Sequence, residues 1–236
     1  MNSPSLLSLT NLNVWYTKEH PVLSGFSLDL GSHEVVGLIG LNGAGKTTFI
    51  KTIAGLLPSY HLDNAAWLGQ SFSFRDKRFK ERRYIVFAED RSFQYFTFRE
   101  YLAYAAASYG ISLPDVSNLV KGFHFEDYTN VLLNELSTGN LKKAYLITAF
   151  ALHPELLLLD EPVNGLDFQS TEFLYQLMNG YRNYGTILFS SHILESICLT
   201  SDRVLVLEHG RISRSFTGAE VASDNIREVL TDYENR

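Results

Sequence analysis

The spacing of hydrophobic residues changes several times along this chain. Residues 6–16, LLSLTNLNVWY, and 22–30, VLSGFSLDL, are short, partly alternating runs, which predicts strands. EVVGLIG at 34–40 is an unbroken apolar run ending in glycine, which predicts a buried strand. GKTTFIKTIAGLL at 45–57 predicts a helix stopped by Pro58. Residues 61–69 and 84–88 predict two further strands. Between them lies RDKRFKERR, 75–83, a mixed-charge run with a basic excess. It reads as a solvated loop or strand edge, with contact to a membrane surface or partner as the alternative.

The pattern changes over 92–135. Aromatics are dense there: Phe93, Tyr95, Phe96, Phe98, Tyr101, Tyr104 and Tyr109. TFREYLAYAAASYG predicts a helix with Thr97 as N-cap, Glu100 three residues on, and Gly110 at its end. This predicts a small, mostly helical lobe whose aromatics form its own core. An exposed aromatic groove for a partner helix is the other reading. Regular alternation then resumes. Helices are expected at 139–152, 167–182 and 192–199, and strands at 155–160, 185–190 and 203–208. The LEHGRI hairpin and a polar C-terminal helix follow. Alternating β and α elements predict a mostly parallel sheet covered by helices.

Composition narrows this picture only a little. The 236 residues include 45% hydrophobic and 19% charged, enough apolar side chain for a sizeable core in one α/β domain. A net charge of −6 gives no global electrostatic reason to expect nucleic acid as a partner. Cys198 is the only cysteine, so no internal disulfide can form. MNSPSLLSLT lacks a basic segment followed by an apolar run, and these two features together favour the cytosol. AYLITAFALHPELLLLD, the richest apolar stretch, is broken by His153, Pro154 and Glu155, so no membrane span is expected.

Candidate chemistry lies at the strand–helix junctions. GLNGAGKT, 40–47, matches the phosphate-loop pattern G-x-x-x-x-G-K-[ST], between a predicted strand and helix. Its residues Gly40, Leu41, Asn42, Gly43, Ala44, Gly45, Lys46 and Thr47, with Thr48 just beyond, are candidate phosphate ligands. Glycines let backbone amides close on a phosphate, and the helix N-terminus adds its positive end. Lys46 would reach the β- and γ-phosphates, and the Thr47 hydroxyl would bind Mg2+. LLLLDEP, 156–162, is an apolar strand ending in two carboxylates. Asp160 fits the acidic partner of Mg2+. Glu161, one residue further, can polarise an attacking water. His192 in SSHILES is a candidate γ-phosphate sensor. LNELSTGNLKKAY, 133–145, enters a helix through four small residues, Ser137, Thr138, Gly139 and Asn140, a second place where an anion can sit.

The order of these motifs resembles the nucleotide-binding subunit of ATP-binding cassette (ABC) transporters over roughly residues 6–220. The likeness rests on the phosphate loop at 40–47, LSTGN at 136–140, LLLLDEP at 156–162, NGLD at 164–167 and SSH at 190–192. It implies an α/β fold: a P-loop NTPase (RecA-like) core, an N-terminal antiparallel β-subdomain and an inserted α-helical subdomain. The whole of 1–236 would be one ABC ATPase domain, with 1–89 plus 136–236 as core and β-subdomain and 90–135 as helical subdomain. It further implies ATP and Mg2+ as cofactors, Glu161 as catalytic base and His192 as switch. Tyr16 fits the aromatic that stacks on adenine, with Trp15 able to take that place if the register shifts by one. Glu89 stands where the family usually has glutamine, keeping an oxygen for Mg2+ or its water but losing the amide donor. Asp167 fits the D-loop carboxylate at a dimer interface. LSTGN departs from the family's LSGGQ at Thr138 and Asn140, which implies a working but weaker contact to a phosphate held by a second chain.

The partners implied are a second nucleotide-binding subunit, identical or related, and an integral-membrane permease. The location implied is cytoplasmic, peripheral at the inner face of the cell membrane. Glu89 and the compact lobe lean toward export by analogy. A soluble ABC ATPase acting as a mechanical or assembly factor is the alternative, although the chain has neither the coiled coils nor the tandem cassettes common in such proteins. A GTPase would need N-K-x-D, which does not occur, and a small-molecule kinase would have no use for LSTGN or NGLD.

Overall fold

The computed structural model describes residues 5–234. Residues 1–4 and 235–236, and with them both ends of the expected 1–236 domain and the start of MNSPSLLSLT, lie outside the described residues. Two sheets organise the rest. The first is antiparallel, built from β1 (Ser5–Thr17), β2 (His20–Gly31), β4 (Tyr60–His61), β5 (Asn64–Trp67) and β6 (Gln70–Ser71), in the order β2-β1-β5-β6 with β4 also on β1. The second has the order β11-β10-β3-β9-β8-β7. Its strands are β3 (Val35–Ile39), β7 (Arg83–Val86), β8 (Leu156–Asp160), β9 (Thr186–Ser191), β10 (Arg203–Glu208) and β11 (Arg211–Thr217). All pair in parallel except β11, the far partner in the LEHGRI hairpin. That hairpin turns at His209 (φ 45°) and Gly210 (φ 74°), both left-handed, as a tight hairpin turn requires.

The parallel strands are mostly apolar between their ends because both of their faces are covered. Leu156 and Leu158 of β8 face one core, which includes Val36, Leu38, Leu188 and the antiparallel sheet. Leu157 and Leu159 face the other, with Ile187, Phe189, Val204 and Val206. α1 (Lys46–Ile53) lies in the first core, where Phe49 meets Phe26 with ring centroids 4.3 Å apart. Each such fully buried side chain contributes about 1.5–3 kcal/mol. α5 (Thr138–Leu152), α6 (Phe168–Gly180), α7 (Leu194–Thr200) and α8 (Ser223–Glu234) cover the second face. Although α8 is polar in composition, it docks through Ile226 and Val229.

α3 (Phe98–Ser108) and α4 (Ser117–Gly122) fall between β7 and α5. Thr97 and Glu100 form the expected capping box, and Gly110 follows α3 at φ 68°. The aromatics here do not form the separate core expected of the lobe. Phe98, Tyr101, Phe123 and Phe125 are buried and continuous with the second core. Tyr95 and Tyr104 are exposed, and Phe93 contacts Tyr104 at 5.1 Å between ring centroids.

Three local expectations are corrected. The charged run at 75–83 is neither loop nor strand edge for most of its length: α2 spans Lys77–Arg82. Phe79 anchors it at 1% exposure, and a single buried side chain in six residues is too sparse to show as a helical period. The buried guanidinium of Arg83 follows, 4.5 Å over the Phe79 ring, with Nη2 donating to the Ala54 carbonyl at 2.7 Å. α1 stops at Ile53, before Pro58, because Gly55 turns left-handed at φ 75°. The expected strand 61–69 is broken at Leu62 and Asp63 and ends early, in a turn at Leu68 and Gly69, both with positive φ, which sends β6 back along β5.

Candidate functional site

The phosphate loop leaves β3 at a point where the sheet order branches to β9 on one side and β10 on the other, the usual position for a ligand crevice. Gly43 (φ 85°) and Gly45 (φ 111°) hold left-handed backbone. Gly40 is needed for close approach, since a Cβ there would overlap the Leu207 carbonyl oxygen. Gly45 caps α1 without any side-chain hydrogen bond, and the first turn of α1 has no acidic residue. The opening amides of α1 are therefore left for an anion. Together with Val22, Glu161, Asn164 and His192, residues 42–48 line a cavity of about 420 Å³.

Lys46 is buried, and its Nζ donates to the carbonyls of Gly40 (2.6 Å) and Leu41 (3.3 Å). Burial lowers its pKa, while Glu161 and Asp160 act to raise it. Thr47 Oγ1 donates to Asp160 Oδ1 at 3.1 Å, and Ser190 Oγ donates to the same oxygen at 2.6 Å. Asp160 Oδ2 is buried with no partner. An orphaned carboxylate oxygen beside a threonine hydroxyl fits Mg2+, a hard cation that accepts few protein ligands and keeps water and phosphate for the rest. Thr47 and Asp160 could hold it. Among the described residues no group of three His, Cys, Asp or Glu side chains forms a cation site.

Glu161 follows β8 with φ 48°, an uncommon value for a residue other than glycine and a form of strain that clusters at functional sites. Its amide is held by Ser190, through the carbonyl at 3.2 Å and Oγ at 3.0 Å. The turned carboxylate lies 3.8 Å from Lys46 Nζ through Oε1 and 2.9 Å from His192 Nδ1 through Oε2. The His192 amide also donates to Oε2, at 3.3 Å. Lys46, Thr47, Asp160, Glu161 and His192 therefore converge on one place.

Other expected residues lie around it. Tyr16 is exposed at 59%, with its hydroxyl 3.4 Å from Thr48 Oγ1, so it stands beside the phosphate loop. Trp15, on the alternate face of β1, is half-buried. Glu89 does not line the phosphate cavity. It lines a separate cleft of about 480 Å³ with Asp90, Arg91, Gln94, Leu136, Thr138 and Tyr145 among its walls. Ser137 caps α5, its Oγ accepting from the Asn140 amide at 3.3 Å, and Ser137 and Thr138 are exposed. Gly139 has a packing reason of its own, because a Cβ there would overlap the Gly165 carbonyl oxygen. Asp167 caps α6 by accepting from the Ser170 amide at 2.9 Å, and also accepts from Lys143 Nζ at 2.6 Å. The lysine hydrogen bond, ahead of Ser170, holds its carboxyl well below the usual range.

Lys142 and Lys143 were missed as site neighbours, and so was Ser190 as the bridge from Asp160 to Glu161. The lysines carried a usable signal. From Leu141 to Leu152 every position of this helix but Lys142, Lys143 and Thr148 is apolar, and a helix apolar all round is buried, so charges within it are buried too.

A glycine loop at a helix start, a buried aspartate beside its threonine and a carboxylate–histidine pair define a P-loop nucleotide-hydrolysing protein. Comparison with known proteins specifies which kind. The sequence profile of the ABC transporter family matches residues 23–164. The putative ABC transporter ATP-binding protein AlbC of Bacillus subtilis (strain 168) is 34% identical over 220 residues, covering 89% of this chain and 91% of AlbC. The ABC-type transporter ATP-binding protein EcsA of the same organism is 31% identical over 222 residues, covering 92% and 89%. A solved structure described as the ATP-binding subunit of an ABC transporter superposes with a TM-score of 0.82 at 29% identity, covering 97% of this chain and 94% of that one. The chain belongs to the ABC transporter family, as an ATP-binding subunit with ATPase activity. Among the described residues no helix is long and apolar enough to cross a membrane.

Proposed function

We propose that the chain drives transport through a separate membrane permease by hydrolysing ATP in a head-to-tail dimer, formed with a second copy or a related chain. One observation carries this. Ser137–Asn140 stand at an exposed helix start, yet none of them lines the phosphate cavity of its own chain. A phosphate-binding turn kept away from its own nucleotide site suits a phosphate brought by another chain. Residues 1–89 and 136–236 act as the core with its β-subdomain, and 90–135 as the helical subdomain. The Glu89 cleft beside the aromatic segment is the face offered to the permease, at the inner side of the cell membrane. Glu89 and the compact lobe support export by analogy.

In this reading Tyr16 stacks on adenine, and residues 40–48 enclose the phosphates with backbone amides. Lys46 exchanges the carbonyls of Gly40 and Leu41 for β- and γ-phosphate oxygens. Thr47 and Asp160 would hold Mg2+, which would supply charge neutralisation at the phosphates; Glu89, in its separate cleft, takes no part in holding it. Glu161, oriented by His192, aligns the attacking water and takes its proton. His192 donates to the γ-phosphate, while Ser137 and the Gly139 amide of the partner chain close over it. Asp167 lies at that interface. Cleavage removes the γ-phosphate that both chains hold, and the dimer opens.

Glu161→Gln keeps size and hydrogen bonding but loses the base. Turnover should fall by ~10²–10⁴-fold, the usual contribution of a general base. ATP should then trap the dimer, read by light scattering. A monomer in ATP, for a variant shown to bind it, would sink the head-to-tail arrangement.

A further inference from the structure

Lys142 and Lys143 sit one turn into α5, directly after the Ser137–Asn140 turn, and no role assigned above uses both. They are 4% and 5% exposed. Burying an ammonium is costly, and an apolar side chain of similar volume would hold α5 in the core without that cost. Each lysine instead reaches a different loop. Lys142 Nζ donates to the Phe87 carbonyl at 2.6 Å and the Ala88 carbonyl at 2.9 Å, the two carbonyls immediately before Glu89. Lys143 Nζ donates to Asp167 Oδ2 at 2.6 Å. Successive residues on a helix point ~100° apart, so the two side chains leave α5 in different directions. The Asp167 loop is held to the same turn a second time, by the contact of Gly139 with the Gly165 carbonyl. Burial lowers the Lys142 pKa to about 8, with Asp160, Asp90, Glu161 and Glu89 opposing the shift. Its charge thus lies between the acids of the phosphate site and those of the cleft.

We propose that Lys142 and Lys143 are positioning residues that lock the first turns of α5 to the Glu89 loop on one side and the Asp167 loop on the other. The three segments then change arrangement together. A shift of 87–91, such as an occupant of the cleft would impose, is carried along Lys142 into Ser137–Asn140 and along Lys143 into Asp167. This rests on the head-to-tail reading, in which those residues meet the partner's ATP.

The test uses the full chain and reads each arm separately. Lys143→Met and Asp167→Asn should each lower kcat ~tenfold, leaving the Kd for a fluorescent ATP analogue unchanged in dilute monomer. The double variant should be no slower than the slower single, and Lys143→Arg should recover most of the rate. Losses that multiply, or a Kd that weakens in step with kcat, would overturn this arm. For the other arm, hydrogen exchange is followed in the Glu161→Gln background with ATP. Amides of 87–91 and 137–141 should gain protection together. With Lys142→Met added, 137–141 should stay protected while 87–91 exchanges ~tenfold faster. Protection of 87–91 that survives Lys142→Met overturns this arm. Failure of Glu161→Gln alone to dimerise counts against the head-to-tail reading instead, and the Lys143–Asp167 cycle in kcat still judges the linkage.

Discussion

The phosphate loop at 40–48 and the turn at 137–140 both present backbone amides at the start of a helix, yet they are built differently. α1 begins on a left-handed glycine with no side-chain cap, and a buried lysine and two buried carboxylates stand next to it. α5 begins on a serine that already satisfies the Asn140 amide, at an exposed corner. The first start is unfinished without an anion. The second is a stable helix start that can lend its hydroxyl and amides to one. Binding energy in the proposed dimer is therefore lodged mainly in the cis loop, while the trans turn supplies closure.

Breaking the cis side should give the largest effect. Lys46→Ala removes hydrogen bonds to charged oxygens worth ~1.5–3 kcal/mol each, so ATP affinity should fall ~100-fold or more by calorimetry. Unchanged affinity would refute the assignment of the loop. On the trans side Gly139→Ala puts a Cβ into the Gly165 carbonyl oxygen. Overpacking of this kind costs ~1–3 kcal/mol, so kcat should drop ~tenfold with cis affinity intact. Loss of ATP binding in that variant would show that the two sites are not separable. The smallest change restores the family pattern: Thr138→Gly with Asn140→Gln. ATP-driven dimerisation should tighten by less than ~tenfold, because a glycine in the first turn costs α5 part of the gain. If sedimentation shows no change at all, the two departures are neutral and closure depends on Ser137 and Gly139 alone.

What could be read along the chain differs between these regions for a physical reason. The phosphate loop is contiguous: strand, glycines, lysine and helix follow within one short stretch, so its conformation is encoded by its own φ requirements and its own amides. The capping box at Thr97 and Glu100 was legible on the same ground, as was the turn at His209–Gly210. The α2 helix was not, because charge covers most of it and only Phe79 is buried. The burial of Lys142 and Lys143 was legible in the apolar run that follows them, but the loops they reach were not, because those come from distant parts of the chain.

The chain by itself thus determined the parallel sheet, the phosphate loop, the carboxylate pair after β8 and the helix start at 137–140. Each of these is set by periodicity, glycine stereochemistry or capping over a few neighbouring residues. Tertiary structure alone decided which loops meet. It turned Glu161 toward Lys46 and His192, left Asp160 Oδ2 without a partner, put Glu89 in a cleft apart from the phosphate cavity, and brought Gly139 against Gly165. Those outcomes depend on how β7, β8 and β9 line up side by side and how α5 lies across them. Strand order and helix packing are settled by burying two whole faces of a sheet at once, and no local stretch carries that information.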